Sequence, residues 1–482
     1  MGLRIAGHIE RLNGKELTYQ EFVERYLRKN QPVVLTGLMD DWRACKDWVT
    51  RDGRPNLPFF ATHFGKSRVQ VADCGTREFT DQKRVEMSVS EFAEHWLMGC
   101  KPEESDISTS DRPPLLYLKD WHFVKDYPDY VAYTTPVFFH DDWLNLYLDC
   151  YRMHTDPEMY QETDDIGCSD YRFVYMGAKG SWTPLHADVF RSYSWSANVC
   201  GKKQWLFLSP LQRHLVFDRN MKNSVYDIFS DVSEMTFPGF KETVWTECIQ
   251  EENEIIFVPS GWYHQVQNLE DTISINHNWF NAHNLFWIWD LLSRDYNDAK
   301  EYIEDIRDIC DDFEGLCQRN LAANTGMNFY DFLIFITRFA FAYLGQLYYL
   351  LRGDDDTIQH SSLTVQQLAL NLASIKKIAM KMKDAEGFEK HRDILDTVET
   401  LSNPKFSELS IKVGNTYRMM LEPQPRSCCT AKARVDVLGD FDFLQNWSLV
   451  CTPGDLVSFI DDAVENLNRI GSKNSIHLGE LV

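Results

Sequence analysis

The pattern of hydrophobic and polar residues divides the chain into stretches of different period. Residues 17–30, LTYQEFVERYLRKN, place Tyr19, Phe22, Val23 and Tyr26 at helical spacing, and the apolar run PVVLTG at 32–37 predicts a strand after that helix. A second strand is expected at 68–72, a helix capped by Ser88 over 88–98, and a polar, proline-rich loop over 101–114. LLYLKD at 115–120 follows, and then a stretch rich in Tyr, Asp and Trp. From residue 171 to 280 short strands dominate, at 172–178, 192–200, 203–208, 254–259, 263–268 and 272–280. Many short strands between turn signals predict a sandwich or barrel. Beyond 282 the period becomes helical, over 284–306, 329–351, 363–383 and 455–469, with polar breaks at 353–362 and 422–432. The expected class is α+β in three regions: a mixed α/β region at 1–150, a β core at 151–290 and a helical region at 291–482.

Two strands alternate strictly. In 192–200, Tyr193, Trp195, Ala197 and Val199 share one face, and Ser194, Ser196 and Asn198 share the other. In 272–280, Thr272, Ser274, Asn276 and Asn278 form a similar polar face. Such a face is most simply wetted by solvent; in a barrel enclosing a cavity it lines a polar interior instead. The alternation by itself does not choose. The run 332–351 is apolar enough to be weighed as a membrane span, but Arg338 and Gln346 near its middle make lipid burial costly. A buried helix is the expectation, with its aromatic residues, Trp287 and Trp289 serving as core.

Composition narrows the function. The chain has 482 residues, of which 44% are hydrophobic and 25% charged, which excludes wholesale disorder and fibrous architectures. Its 49 Lys and Arg against 72 Asp and Glu give a net charge of −23, so direct binding to nucleic acid is not expected, while a basic protein partner is compatible. The twelve cysteines form no CxxC pair, which argues against zinc fingers and thioredoxin-type redox motifs. Residues 1–10 carry no apolar run or cleavage pattern, and Ala6 stands where a myristoylation motif needs Ser or Thr. An intracellular chain with reduced thiols and no membrane contact is expected.

The candidate chemistry centres on His186-Ala187-Asp188. On a strand, positions i and i+2 point to the same side. His264 follows the turn Pro259-Ser260-Gly261. Two histidines and one carboxylate are the donor set of non-haem iron sites, which leave positions open for a chelating co-substrate and O₂. The His-x-Asp spacing alone is weak, since it recurs at His140-Asp141-Asp142 and His391-Arg392-Asp393, both read as structural. His264 alone reads equally as a core histidine with its hydrogen bonds satisfied. Thr183 offers a hydroxyl close to His186, and Lys203 a cation on the next strand. A lysine inside a cavity is costly unless an anion pairs with it; otherwise Lys203 is an exposed hairpin-end residue like Lys202.

The segments TPLHAD, SWSANVCGKKQWLF and EIIFVPSGWYHQVQNLEDTISINHNWF resemble the JmjC domain of 2-oxoglutarate oxygenases. HADVFRSYSWSANVCGKKQW, together with QPVVLTG near the N-terminus, is similar to the lysyl-hydroxylase subgroup of JmjC domain-containing protein 4. The resemblance covers roughly residues 20–290. It implies a double-stranded β-helix, a cupin-like jelly roll, as the catalytic core at 151–290. It implies that His186, Asp188 and His264 bind Fe(II), that Thr183 and Lys203 bind 2-oxoglutarate, and that Asn278 faces the co-substrate. It turns the polar face of the alternating strands inward, with Tyr175 and Asn198 as further cavity-facing residues of no assigned role. The implied reaction consumes O₂ and 2-oxoglutarate, yields succinate and CO₂, and places one oxygen atom on a substrate C–H bond. The implied substrate is a lysyl side chain of the eukaryotic translation termination (peptide-chain release) factor, in the cytoplasm with room for a nuclear pool. Two other functions remain open: an N-methyl-lysine demethylase of histones, and a non-catalytic scaffold whose C-terminal helices bind a partner.

Overall fold

A computed structural model describes residues 2–99, 113–154, 170–352, 362–388, 395–421, 449–471 and 482. Most of the predicted 101–114 loop, the 422–432 break, nearly all of the 353–362 break and His391-Arg392-Asp393 lie outside the described residues. The chain forms two units, Met1–Phe138 with Asp170–Trp279, and Phe139–Ser169 with Phe280–Val482.

The first unit is built on fourteen described strands. In chain order they are β1 (Ile5–His8), β2 (Arg11–Asn13), β3 (Val33–Thr36), β4 (Arg68–Glu78), β5 (Asp81–Ser88), β6 (Leu116–Trp121) and β7 (Arg172–Gly177). Then come β8 (Trp182–His186), β9 (Tyr193–Cys200), β10 (Lys203–Leu208), β11 (Trp245–Gln250), β12 (Glu254–Val258), β13 (Tyr263–Asn268) and β14 (Thr272–Trp279). One sheet runs β1-β11-β10-β13-β8 and the other β2-β3-β12-β9-β14-β7-β6-β4-β5. From β7 onward the chain passes repeatedly between the two sheets, placing β7, β9, β12 and β14 in one and β8, β10, β11 and β13 in the other. That winding is the jelly roll expected of the β core. The N-terminal strands β4, β5 and β6 continue the sheet of β7, so the flanking region and the barrel are hydrogen-bonded into one unit. The units therefore part at other places than the three regions drawn from hydrophobic periodicity, which cannot see strand pairing.

The strictly alternating β9 is buried at every position. Its apolar face is covered by the N-terminal segment: Tyr193 donates its hydroxyl to Leu27 O at 2.9 Å, and Trp42 stands 6.4 Å from Trp195. Its polar face, Ser194 and Ser196, lines the barrel interior. The solvent reading of that face is thus overturned, because cover on one side and a cavity on the other leave no wet surface. Between β9 and β10, Gly201 has φ +74, and a Cβ there would sit 2.1 Å from Asp271 O. Only glycine allows this close turn, which sets Lys203 at the start of β10. Along β10 the side chains alternate: Trp205 and Phe207 join an interior cluster with Ile256, Val258 and Val266. Leu206 and Leu208 join a second cluster with Val216, Phe217, Val225 and Ile228 of the 209–244 insertion.

The second unit is mainly helical, with Leu285–Tyr302, Phe313–Thr325, Phe329–Leu351, Ser362–Met382, Pro404–Leu421 and Pro453–Gly471 as its long elements. Phe329–Leu351 starts with a capping box between Asn328 and Asp331. By length and composition it could cross a membrane, yet most of it is buried within the unit. Its polar residues are matched there. Arg338 Nη1 donates to the Tyr147 hydroxyl at 2.6 Å and stacks 3.8 Å from the Tyr151 ring, and Gln346 Nε2 donates to Ser410 O at 3.0 Å. The expected buried helix is what the fold contains.

Candidate metal centre and co-substrate cavity

β8 ends at His186, and β13 pairs with it so that His264 stands directly across. The two ring centroids are 4.3 Å apart. Asp188 follows in extended backbone, φ −55 and ψ 151, which keeps its carboxylate on the same side as His186. One ligand atom from each of the three residues lies within 4.8 Å of the others. His186 Nδ1 is 2.8 Å from Pro184 O, and His264 Nδ1 is 3.1 Å from Trp262 O. A carbonyl oxygen only accepts, so both protons sit on Nδ1 and both Nε2 lone pairs are free. Asp188 Oδ2 accepts from Ser194 Oγ at 2.7 Å. Burial, followed by the neighbouring His186, holds His264 down to about 4, so its imidazole is neutral at neutral pH. Trp205 and Phe207 flank that ring at 5.5 and 5.6 Å. Two imidazoles and a carboxylate on one wall fit Fe(II), with positions left open toward the cavity.

Lys203 enters the same cavity and is 2% exposed. Its Nζ donates to the Tyr117 hydroxyl and to Asn268 Oδ1, each at 3.0 Å. No carboxylate among the described residues pairs with it, and burial pulls it down to about 7. An ammonium has three donors, so one remains for an anion. Lys202, by contrast, points out and meets Glu251 at 3.1 Å. The hairpin-end reading therefore holds for Lys202 and fails for Lys203.

Thr183, Asn278 and Tyr175 also line the cavity. Asn278 Nδ2 donates to Ser192 Oγ at 3.1 Å. Asn198 does not join them: its Nδ2 donates to Gly201 O at 2.6 Å and to Glu251 O at 3.3 Å, bracing the turns at the far end of β9. Sequence reasoning missed Tyr117, Asn268 and the Ser194 bond to Asp188. Tyr117 belongs to LLYLKD, a segment given no element from the sequence, and only the pairing of β6 with β7 brings it beside Lys203. It also missed the partner of Tyr175, whose hydroxyl donates to Asp120 Oδ1 at 2.6 Å, with Arg84 at 2.8 Å on the other oxygen.

Comparison with known proteins agrees with this geometry. Residues 19–284 match the family model of a cupin-like domain. The chain is 59% identical to the arginine-specific demethylase JMJ20 of Arabidopsis thaliana, over 96% of this chain and 97% of that protein. It is 40% identical to the 2-oxoglutarate and iron-dependent oxygenase JMJD4 of Danio rerio, over 68% of this chain and 73% of that protein. The JMJD4 of Homo sapiens is 36% identical, over 66% and 72% respectively. All three relatives are named as enzymes, and here the donor atoms converge, which sets aside the non-catalytic scaffold.

Proposed function

The chain belongs to the cupin-like JmjC family of 2-oxoglutarate- and iron-dependent oxygenases, and we propose that it hydroxylates a lysyl side chain of the translation termination factor. The observation that carries a dicarboxylate-dependent reaction is the pairing of the His186, Asp188 and His264 donor set with a buried, carboxylate-free Lys203 in one cavity. When bound, iron supplies O₂ activation coupled to oxidative decarboxylation of 2-oxoglutarate, which ends with one oxygen atom in a substrate C–H bond. His186, Asp188 and His264 hold the metal. The Nδ1–H bonds to Pro184 O and Trp262 O fix the tautomer and ring plane of each histidine. Ser194 holds the Asp188 carboxylate. Lys203 and the Tyr117 hydroxyl receive the far carboxylate of 2-oxoglutarate, with Thr183 as a further donor and Asn278 on the facing wall. Trp205 and Phe207 keep water from one side of His264. The net charge of −23 favours a basic partner, and we place the reaction in the cytoplasm, with room for a nuclear pool.

A second reading rests on the relative named an arginine-specific demethylase, which is 59% identical over 96% of the chain. The same cavity would then hydroxylate an N-methyl carbon of methylarginine, and the resulting carbinolamine would lose formaldehyde to leave N–H. Both readings are tested by mass spectrometry of termination factor and of methylarginine peptides after incubation with the full chain, Fe(II), 2-oxoglutarate and O₂. Gain of one oxygen on a termination-factor lysine, absent with His186→Ala, is the expected result. Loss of a methyl group with release of formaldehyde would replace it by the second reading. No mass change in either, with 2-oxoglutarate still bound, would overturn both substrate assignments.

A further inference from the structure

The three ligand-bearing segments share a support outside the cavity. On a strand the neighbours of an inward residue point outward. Leu185 and Ala187 beside His186, and Tyr263 beside His264, all enter the apolar cluster built by the 209–244 insertion with Val216, Phe217 and Ile228. Leu185 and Tyr263 are each 4% exposed. The insertion is also tied by hydrogen bonds: Leu185 N donates to Tyr226 O at 2.9 Å, and Ile228 N donates to Gln265 Oε1 at 2.9 Å. The Asp188 segment arrives by another route. Phe190 and Arg191 have φ of 55 and 53, two successive left-handed residues that are not glycine. This turn buries the Phe190 ring 5.5 Å from Tyr171. It also aims Arg191 at Tyr263, with Nη2 donating to the hydroxyl at 2.9 Å and the guanidinium 5.1 Å from the ring centre.

We propose that Arg191 and Tyr263 are positioning residues that lock the Asp188 loop to the His264 strand over the 209–244 insertion, and so set the spacing of the metal's donor atoms. The inference rests on the reading of His186, Asp188 and His264 as ligands. Neither positioning residue reaches the donor atoms. Arg191 acts through three peptide units on Asp188, and Tyr263 through one on His264. Support of this kind decides how well a donor set holds its metal, and its loss costs about tenfold or more in affinity.

The test uses the full chain and Mn(II) alone as probe, by titration calorimetry, with the visible spectrum of the Co(II)-loaded protein and the apo unfolding temperature measured alongside. Arg191→Gly removes the guanidinium while accepting the left-handed φ without steric cost. Tyr263→Phe removes only the hydroxyl. The expected result is Mn(II) binding weakened about tenfold in each single variant and no further in the double variant. The Co(II) spectrum should change and the apo unfolding temperature should not fall. Mn(II) affinity within about twofold of the unaltered chain, or a loss seen only together with a lower unfolding temperature, would overturn the proposal. If the unaltered chain fails to bind Mn(II), or binds it equally with His186→Ala, the ligand reading fails and takes this inference with it.

Discussion

At residues 186–188 and again at 140–142 the chain reads His-x-Asp, and these two copies, one from each unit, are put to different uses. In the barrel, Asp188 spends one oxygen on Ser194, and both histidines spend Nδ1 on carbonyls, leaving three lone pairs that converge within 4.8 Å. In the helical unit, Asp142 is used up at the start of Trp143–Leu148, where it accepts from Asn145 N at 2.9 Å and Asn145 Nδ2 at 2.6 Å. Asp141, wholly buried, accepts from Trp143 Nε1 at 2.8 Å and from the Tyr417 hydroxyl, which in turn receives Asn371 Nδ2 at 2.6 Å. The same spacing gives a converging donor set only where local bonding leaves donors over and a partner strand supplies the third.

The largest test of this contrast is removal of a converging ligand. His186→Ala or Asp188→Ala is expected to abolish detectable metal binding and to lower turnover by about a thousandfold or more, at an unchanged unfolding temperature. Succinate formation and Mn(II) titration measure it, and wild-type-like Mn(II) affinity would break the comparison. Lys203→Ala should come next, raising the KM for 2-oxoglutarate by about a hundredfold while Mn(II) binding stays intact.

Proton linkage sharpens the same point. Burial lowers Lys203 to about 7, and the bound dicarboxylate requires the ammonium. The uncharged fraction therefore grows as pH rises, and 2-oxoglutarate affinity should fall by nearly tenfold per unit above about pH 7, until the pKa of the complex is reached. Calorimetry in buffers of different ionisation heat would register the accompanying proton uptake, and a flat profile from pH 7 to 9 would count against the ammonium.

Asp141 is shifted the opposite way, and its titration bears on stability. Burial raises it to about 6, above its unfolded value, so the folded state holds the extra proton between about pH 4 and 6 and stability from this group declines as pH rises through that window. Asp141→Asn should flatten that decline in denaturant titrations. Asp141→Ala should cost about 1–3 kcal/mol by removing the buried acceptor that Trp143 Nε1 and the Tyr417 hydroxyl share, with 2-oxoglutarate turnover of the folded protein unchanged. The smallest effect expected is that of Ser194→Ala, a few-fold loss in metal affinity from one hydrogen bond to Asp188.

Much of the fold could be read from periodicity because β9, β10, β12, β13 and β14 carry their own alternation or apolar runs, and the long helices their own stripe. β1, β2, β5, β6, β8 and β11 went unread. β5 is mostly polar and exposed at an edge, β8 is short and interrupted by Pro184, and β11 mixes Thr, Glu and Gln with its apolar residues. Of the candidate site, His186, Asp188, His264, Thr183, Lys203 and Asn278 were all legible from residue type and the JmjC resemblance, and all six line one cavity. Their roles as ligands and co-substrate donors remain proposals that the variants above address.

Residue chemistry along the chain determined which side chains can hold a metal and a dicarboxylate, where strands and helices run, and that Arg338 belongs in a protein interior. Tertiary structure alone decided which side of β9 faces the cavity, which of two adjacent lysines is buried, and which His-x-Asp copy keeps its lone pairs. The reason is physical. Side-chain type and alternation are local properties, fixed within a few residues. Burial and leftover hydrogen-bonding valence depend on what a distant strand brings alongside, as β6 brings Tyr117 to Lys203 and β13 brings His264 to His186.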